Sequence, residues 1–445
     1  MQKEVTPNRL FDPKTAVAVV VANMIGTGVF TSLGFQLVDI QSGFALLMLW
    51  VVGGIVALCG ALTYAELGAA LPRNGGEYNF LSRCYHPGAG FVSGWISSTI
   101  GFAAPVALAA ITFGSYLSSV FPGLSSNWLA LSLIFALMMV HGSNHRNSAG
   151  LQWVFTLLKL ALIILFCILG FVLEATPEPL SFLPSAMDEH AILSGAFAVS
   201  LIYVSYAYMG WNAATYLSSE LEEPQKTLPR ILFVGTTLVL FCYLGINFIF
   251  LYTTPIEAMV GKVEIGYIAA KSIFGQVGAD LTGVIMALLL VSTVSAMTMA
   301  GPRVLQVIGE DFKLFSYLGR LNQDGIPQRA IYFQSLLAML FVVTSSFESI
   351  LIFSGFALAL NNFFAVLGIF ILRFKEPNLE RPYKTWGFPL PPIFFLLLVG
   401  WTLFYIIKEK TTEAAYSLLV IVLGGCGYLL SIGYEKYLKK RKKIT

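Results

Sequence analysis

Long stretches of this chain carry no Lys, Arg, Asp or Glu, and a helix of about 20 apolar residues is enough to cross a hydrocarbon core about 30 Å thick. These stretches are residues 15–38, 40–65, 84–145, 190–219, 231–256, 281–302, 330–347, 349–372, 385–407 and 414–434. The third is twice the length needed and carries Phe121, Pro122 and Gly123 at its middle, a turn signal, so it reads as two antiparallel helices. One further run, residues 147–173, is interrupted only by Lys159. The expectation is an all-α membrane protein with twelve transmembrane helices. Composition agrees: 57% of residues are hydrophobic and 11% charged, against about a quarter charged in soluble domains.

The basic residues set an expected orientation, because Lys and Arg stay on the cytoplasmic side of short loops. With the N-terminus inside, all but five of the 27 Lys and Arg fall on the cytoplasmic side or its tails. The five are Lys262, Lys271, Lys408 and Lys410 outside, and Lys159 within the membrane. Both termini are therefore expected in the cytoplasm. The polar arm at residues 1–13 does not read as a cleavable signal, and the basic tail at 435–445 reads as a solvated stop against anionic lipid. Short loops and termini point to the plasma membrane of a prokaryote. A net charge of +3 with no basic stripe argues against nucleic acid. Cys59, Cys84, Cys167, Cys242 and Cys426 show no CxxC spacing and read as apolar fillers.

Two spans are interrupted by residues that do not suit a membrane helix. The first contains Ile25, Gly26, Thr27, Gly28 and Val29, with two glycines near mid-membrane. The sixth contains Tyr206, Ala207, Tyr208, Met209, Gly210, Trp211 and Asn212. Unwound backbone at that depth is tolerated where it is buried or lines a polar cavity. The interruptions occupy equivalent positions in two sets of five spans, residues 14–174 and 189–373, and an odd number of spans per set inverts the second relative to the first. Two more helices, 388–434, are appended. Such repeats place a ligand at their interface, with half-helix N-termini facing anions and freed carbonyls facing cations. The amides of Thr27, Gly28 and Val29 suit a carboxylate, and the carbonyls near Tyr206, Ala207 and Met209 suit an α-ammonium. The expected ligand is a zwitterion such as an amino acid.

Lys159 sits near the centre of the fifth span, where an ammonium costs about 2.5–3.5 kcal/mol on insertion scales. It needs polar partners, and a functional role is the default reading.

Other constellations carry less. Glu66, Arg73, Glu77 and Arg83 read as loop ion pairs that set inner-gate geometry. His141 and His145 have the spacing of a metal pair but fall at a turn with no carboxylate nearby, so no metal and no cofactor is expected. Asn361 and Asn362 read as cross-helix hydrogen-bonding groups in preference to ligand contacts. No GxxxxGK[ST] sequence is present to support an ATP-driven pump. The spans offer neither the histidines nor the paired carboxylates a membrane enzyme needs, and no charged ring or filter suggests a channel. No carboxylate is expected deep in the cavity, which disfavours the runner-up, a cationic amino acid or polyamine antiporter.

Several motifs together resemble the amino acid, polyamine and organocation transporter superfamily. They are IGTGVF at residues 25–30, YAELGAALPRNGGEY at 64–78, Lys159, YAYMGWN at 206–212, SSELEEPQKTLPR at 218–230, GPRVL at 301–305, GIPQRA at 325–330 and RPYKTWGFP at 381–389. Lys159 and the sixth-span run are most similar to the L-type amino acid transporters and their bacterial relatives. The resemblance implies a LeuT-type five-plus-five inverted-repeat fold with helices 1 and 6 broken, and sodium-independent alternating-access transport by exchange or proton symport. It implies that Lys159 takes the place of a sodium ion bracing span 1 against span 8, touching carbonyls around Ala22 and Ile25 and hydroxyls among Ser292, Thr293 and Ser295, with Thr293 first. Tyr206 becomes an aromatic gate, and Glu220 a helix brace. Relatives commonly carry glycine at the position of Met209, so the larger side chain favours small neutral amino acids. The outer loop at 121–127 lacks the cysteine that joins animal relatives to an accessory glycoprotein, so no disulfide-linked partner is expected.

Overall fold

The computed structural model describes residues 13–71, 75–143, 149–173, 177–212, 214–215, 223–323 and 325–441. Most of the N-terminal arm, Arg73, His145, Glu220 and the end of the basic tail lie outside the described residues. Within them the chain is helical, with no strand.

The helices are α1 Pro13–Met24, α2 Gly28–Gln36, α3 Gly43–Ala70, α4 Glu77–Cys84, α5 Pro87–Ile96, α6 Ala103–Val120, α7 Ser126–Ser143, α8 Ala149–Leu173 and α9 Ala186–Ile192. They continue as α10 Gly195–Tyr208, α11 Pro224–Thr253, α12 Ile256–Met259, α13 Ile265–Asp311, α14 Gln328–Thr344, α15 Phe347–Lys375, α16 Leu390–Glu409 and α17 Thr411–Arg441. A π-helical turn, Ser97–Gly101, joins α5 to α6. α13 bends at Gly275, whose φ is 70°. Serine side chains begin several long helices by accepting an otherwise orphaned amide: Ser42 from Ala45, Ser194 from Phe197 and Ser346 from Ser349.

Among the described residues ten segments are long and apolar enough to cross a membrane, and two shorter apolar helices, Gly195–Tyr208 and Gln328–Thr344, fall on the sixth and ninth expected spans. Burial separates centre from rim. In Pro87–Val120 78% of the most apolar window is buried inside the protein, against 17% in Thr411–Arg441, so α17 turns most of its apolar surface outward. At the centre α13 packs along α6 and α11 along α3.

The two ends of the bundle are tied together by different chemistry. At one end Glu66, 1% exposed, receives Nε and Nη2 of Arg373 at 2.9 and 2.7 Å and the Thr385 amide at 2.6 Å. Arg381 Nε stands 3.5 Å from the same carboxylate. This knot ties α3 to the end of α15 and to the loop between α15 and α16. Arg83 pairs with Glu376 at 2.8 Å. Glu66 and Arg83 thus pair with the end of α15 and the loop after it, far away in sequence. At the other end the Gly261 amide donates to the Gly34 carbonyl at 2.7 Å, and the Gly266 amide donates to the Tyr116 hydroxyl at 3.0 Å, drawing the α12–α13 segment over α2.

Candidate functional site

Helix α1 stops at Met24 and α2 starts at Gly28, leaving Ile25, Gly26 and Thr27 outside both. The Gly26 amide reaches back only two residues, to the Met24 carbonyl at 2.8 Å. Thr27, the N-cap of α2, gives no side-chain cap, so first-turn N–H groups, the positive end of the helix dipole, face the space beside Gly26, Thr27 and Gly28. The second interruption begins where α10 ends at Tyr208. Met209 is extended (φ −55°, ψ 147°) and Gly210 has φ +102°, a conformation side chains resist.

The two interruptions touch backbone to backbone. A Cβ on Gly28 would lie 2.5 Å from Ala207 Cα, and one on Gly210 would lie 2.7 Å from the Asn23 carbonyl, so both crossings require glycine. One side chain spans the pair: the Tyr243 hydroxyl of α11 contacts the Met24 carbonyl at 2.5 Å and the Ala207 carbonyl at 3.0 Å. Its ring is held among Trp50 and Tyr208.

Beside this crossing lies a cavity of about 480 Å³, within the range of small-molecule sites. Gly26, Thr27, Gly28, Tyr206, Ala207 and Met209 line one part of it, and Ala22, Lys159, Ser292 and Thr293 another. Lys159, 8% exposed, donates from Nζ to the Ile25 carbonyl at 3.2 Å and to Thr293 Oγ1 at 2.8 Å. Among the expected ligand-contacting residues three lie off its wall. Ile25 is fully buried, with its carbonyl taken by Lys159. Val29 is fully buried and off the cavity wall. Tyr208 turns its hydroxyl to the Trp50 carbonyl at 3.0 Å and lines a smaller pocket behind Met209. Ser295, offered as an alternative partner for Lys159, pairs instead with His141 Nε2 at 2.8 Å. Asn361 and Asn362 line the cavity, and Asn362 Oδ1 accepts from the Tyr64 hydroxyl at 2.9 Å.

The cavity opens at the end of the bundle where α4 and the end of α13 lie: Gly75, Glu77, Tyr78, Val307 and Ile308 line its mouth, with Arg303 and Val307 exposed. The sequence placed no carboxylate deep in the cavity; towards its mouth the structure adds one. Glu77, 1% exposed, lines the cavity and accepts from Asn212 Nδ2 at 2.5 Å. It was missed because α4 follows a loop in sequence yet folds beneath the helix breaks. Tyr243 was also missed, although a tyrosine within the apolar run 231–256 was a signal that a buried hydroxyl needs a partner. Among the described residues no group of three His, Cys, Asp or Glu is placed to hold a metal.

Residues 11–426 match the family described as amino acid permease. The chain is 27% identical over 433 residues to the human b(0,+)-type amino acid transporter 1, covering 95% of this chain and 87% of that one. It is 28% identical over 430 residues to the mouse large neutral amino acids transporter small subunit 2, covering 95% and 80%. The chain therefore belongs to the amino acid permease family, within the amino acid, polyamine and organocation superfamily of multi-pass membrane transporters, and is not an enzyme.

Proposed function

We propose that this protein is a sodium-independent transporter of small neutral L-amino acids, working by alternating access as an exchanger or proton symporter. The observation that carries the reading is the Lys159 ammonium, which bridges the Ile25 carbonyl and Thr293 where a mobile coupling cation would otherwise be needed. Beside it the amides opening α2 hold the substrate carboxylate, and the carbonyls around Tyr206 and Ala207 take its ammonium, with Tyr206 as gate. Met209 narrows the space left for the substrate side chain. The two five-helix sets are the inverted repeats whose relative rocking exposes the site to either side. With both termini in the cytoplasm of a prokaryotic cell, the open mouth beside α4 faces inward. The absence of cysteine from residues 121–127 supports action without a disulfide-linked partner.

Uptake into proteoliposomes, with an amino acid panel at two pH values, with and without sodium and internal substrate, tests this. Alanine-sized substrates are expected to be taken up without sodium, faster when amino acid is loaded inside; a strict sodium requirement overturns the proposal. Glu77 on the cavity wall favours a second reading, transport of cationic amino acids, which the same panel scores through lysine and arginine.

A further inference from the structure

The cavity wall contributed by α15 carries two adjacent asparagines near the middle of that helix, Asn361 and Asn362, 5% and 8% exposed. Polar side chains at such a place in a membrane helix face a partner or a cavity. The cross-helix role expected of the pair occupies only one atom: Asn362 Oδ1 accepts from the Tyr64 hydroxyl, and its Nδ2 has no partner among the described residues. Asn361 makes no hydrogen bond at all among them. A carboxamide offers two donor hydrogens and an oxygen with two lone pairs, and leaving such groups unpaired away from water is unfavourable.

These amides stand beside the second helix break. Met209 and Asn362 each line both the cavity and the smaller pocket behind it, so both residues stand where the two spaces adjoin. One turn earlier on α15, Leu358 lines the cavity too and packs on the π-helical turn, where a Cβ on Gly101 would lie 3.3 Å from Leu358 Cδ2. Helix α15 thus walls the cavity between the Met209 break and that turn. With the backbone of the breaks serving the ammonium and carboxylate, this wall is left to meet the side chain.

We infer that Asn361 and the Nδ2 of Asn362 form a side-chain subsite that selects neutral amino acids bearing a hydroxyl or a carboxamide, such as threonine or asparagine, over apolar ones of the same size. The inference rests on the reading of this cavity as an amino acid site and names the side-chain class it takes. A hydroxyl or carboxamide both donates and accepts, as the asparagine amides do, so the two sets of groups pair. An apolar side chain displaces the water that hydrates the amides and returns no hydrogen bond. A charged side chain meets only neutral amides on this wall, without the opposite charge that offsets its desolvation.

The test is calorimetric binding to the whole chain in detergent, with ligand pairs of nearly equal size: threonine against valine, and asparagine against leucine. The wild-type protein is expected to bind the polar member of each pair about tenfold more tightly, the scale of one net hydrogen bond. Asn361→Leu fills the space and Asn361→Ala empties it; both are expected to bring the affinities of threonine and valine together. Equal affinity within both pairs in the wild type overturns the subsite, a comparison that needs no variant to fold. So does a preference that survives in either variant, and survival in Asn361→Ala alone assigns the effect to bulk. Failure of the wild-type protein to bind or carry any amino acid overturns the functional proposal, whereas alanine transport with no preference within the pairs overturns this inference alone.

Discussion

Lys159 and Thr293 meet at 2.8 Å across the cavity, and because the same ammonium reaches the Ile25 carbonyl at 3.2 Å, one cation pins the interrupted first span to α13. In the proposed mechanism this internal pin takes the place of an ion from solution.

Removing either partner should unpin the break. A hydrogen bond to a charged group contributes about 1.5–3 kcal/mol, so Thr293→Val, which keeps the shape, is expected to cut initial uptake rates by about 10- to 100-fold. Lys159→Ala is expected to abolish transport or uncouple it from the opposing flux. Tightly coupled exchange at the wild-type rate in Lys159→Ala would remove the lysine from the mechanism.

Gly28→Ala places a methyl group 2.5 Å from Ala207 Cα, where neither neighbour is a flexible side chain that yields. Overpacking of this kind costs about 1–3 kcal/mol. Alanine binding, followed calorimetrically in detergent, is expected to disappear together with a lower Tm; unchanged affinity would show that the two breaks are not in contact.

Tyr243→Phe deletes one hydroxyl and leaves the ring among Trp50 and Tyr208. The carbonyls of Met24 and Ala207 lose their shared partner, at a cost of about 1–2 kcal/mol. Exchange is expected to slow while the folded protein survives, as measured by size-exclusion profile and flux in the same preparation.

Met209→Gly removes the side chain that lines both the cavity and the smaller pocket behind it. Leucine uptake is expected to rise relative to alanine by at least about tenfold, the lower end of what one methylene group is worth in an apolar pocket. A selectivity ratio that does not move would show that the substrate side chain points elsewhere.

Asp188 gives a pH-dependent prediction. Hydrogen bonds from Ser42, and from the hydroxyl and amide of Ser185, hold its carboxyl below the usual range. A depressed folded value means that the stabilisation is complete above the unfolded value of about 3.9 and is lost as pH falls through the lower folded value. Asp188→Asn is expected to lower Tm at neutral pH, with the gap to wild type closing below about pH 4. A gap of constant size across that window would assign the effect to packing alone.

The parts of this site legible in the sequence were those that violate a local rule. A lysine in an apolar run, two glycines at mid-membrane and a Gly-Trp-Asn stretch ending an apolar helix all stand out without any knowledge of partners. The choice of Thr293 over Ser295 depends on helix phase: two residues apart on a helix point about 200° from each other, which sends Ser295 to His141. Phase cannot be set from sequence until the facing helix is known. Pairings between distant segments stayed hidden for a similar reason. Glu66 and Arg373 are 307 positions apart, and Tyr243 lies 219 from Met24. Glu77 was read as an ordinary loop charge because nothing local tells that α4 tucks beneath the sixth span.

The Gly28–Ala207 contact leaves no room for a side chain at the seam, so in the proposed binding mode the part of the ligand that every amino acid shares is read by atoms that substitution hardly alters. Diversification among such proteins is thereby channelled to the flanks, where exchange of one residue can retune which tail is accepted while head-group recognition stays fixed.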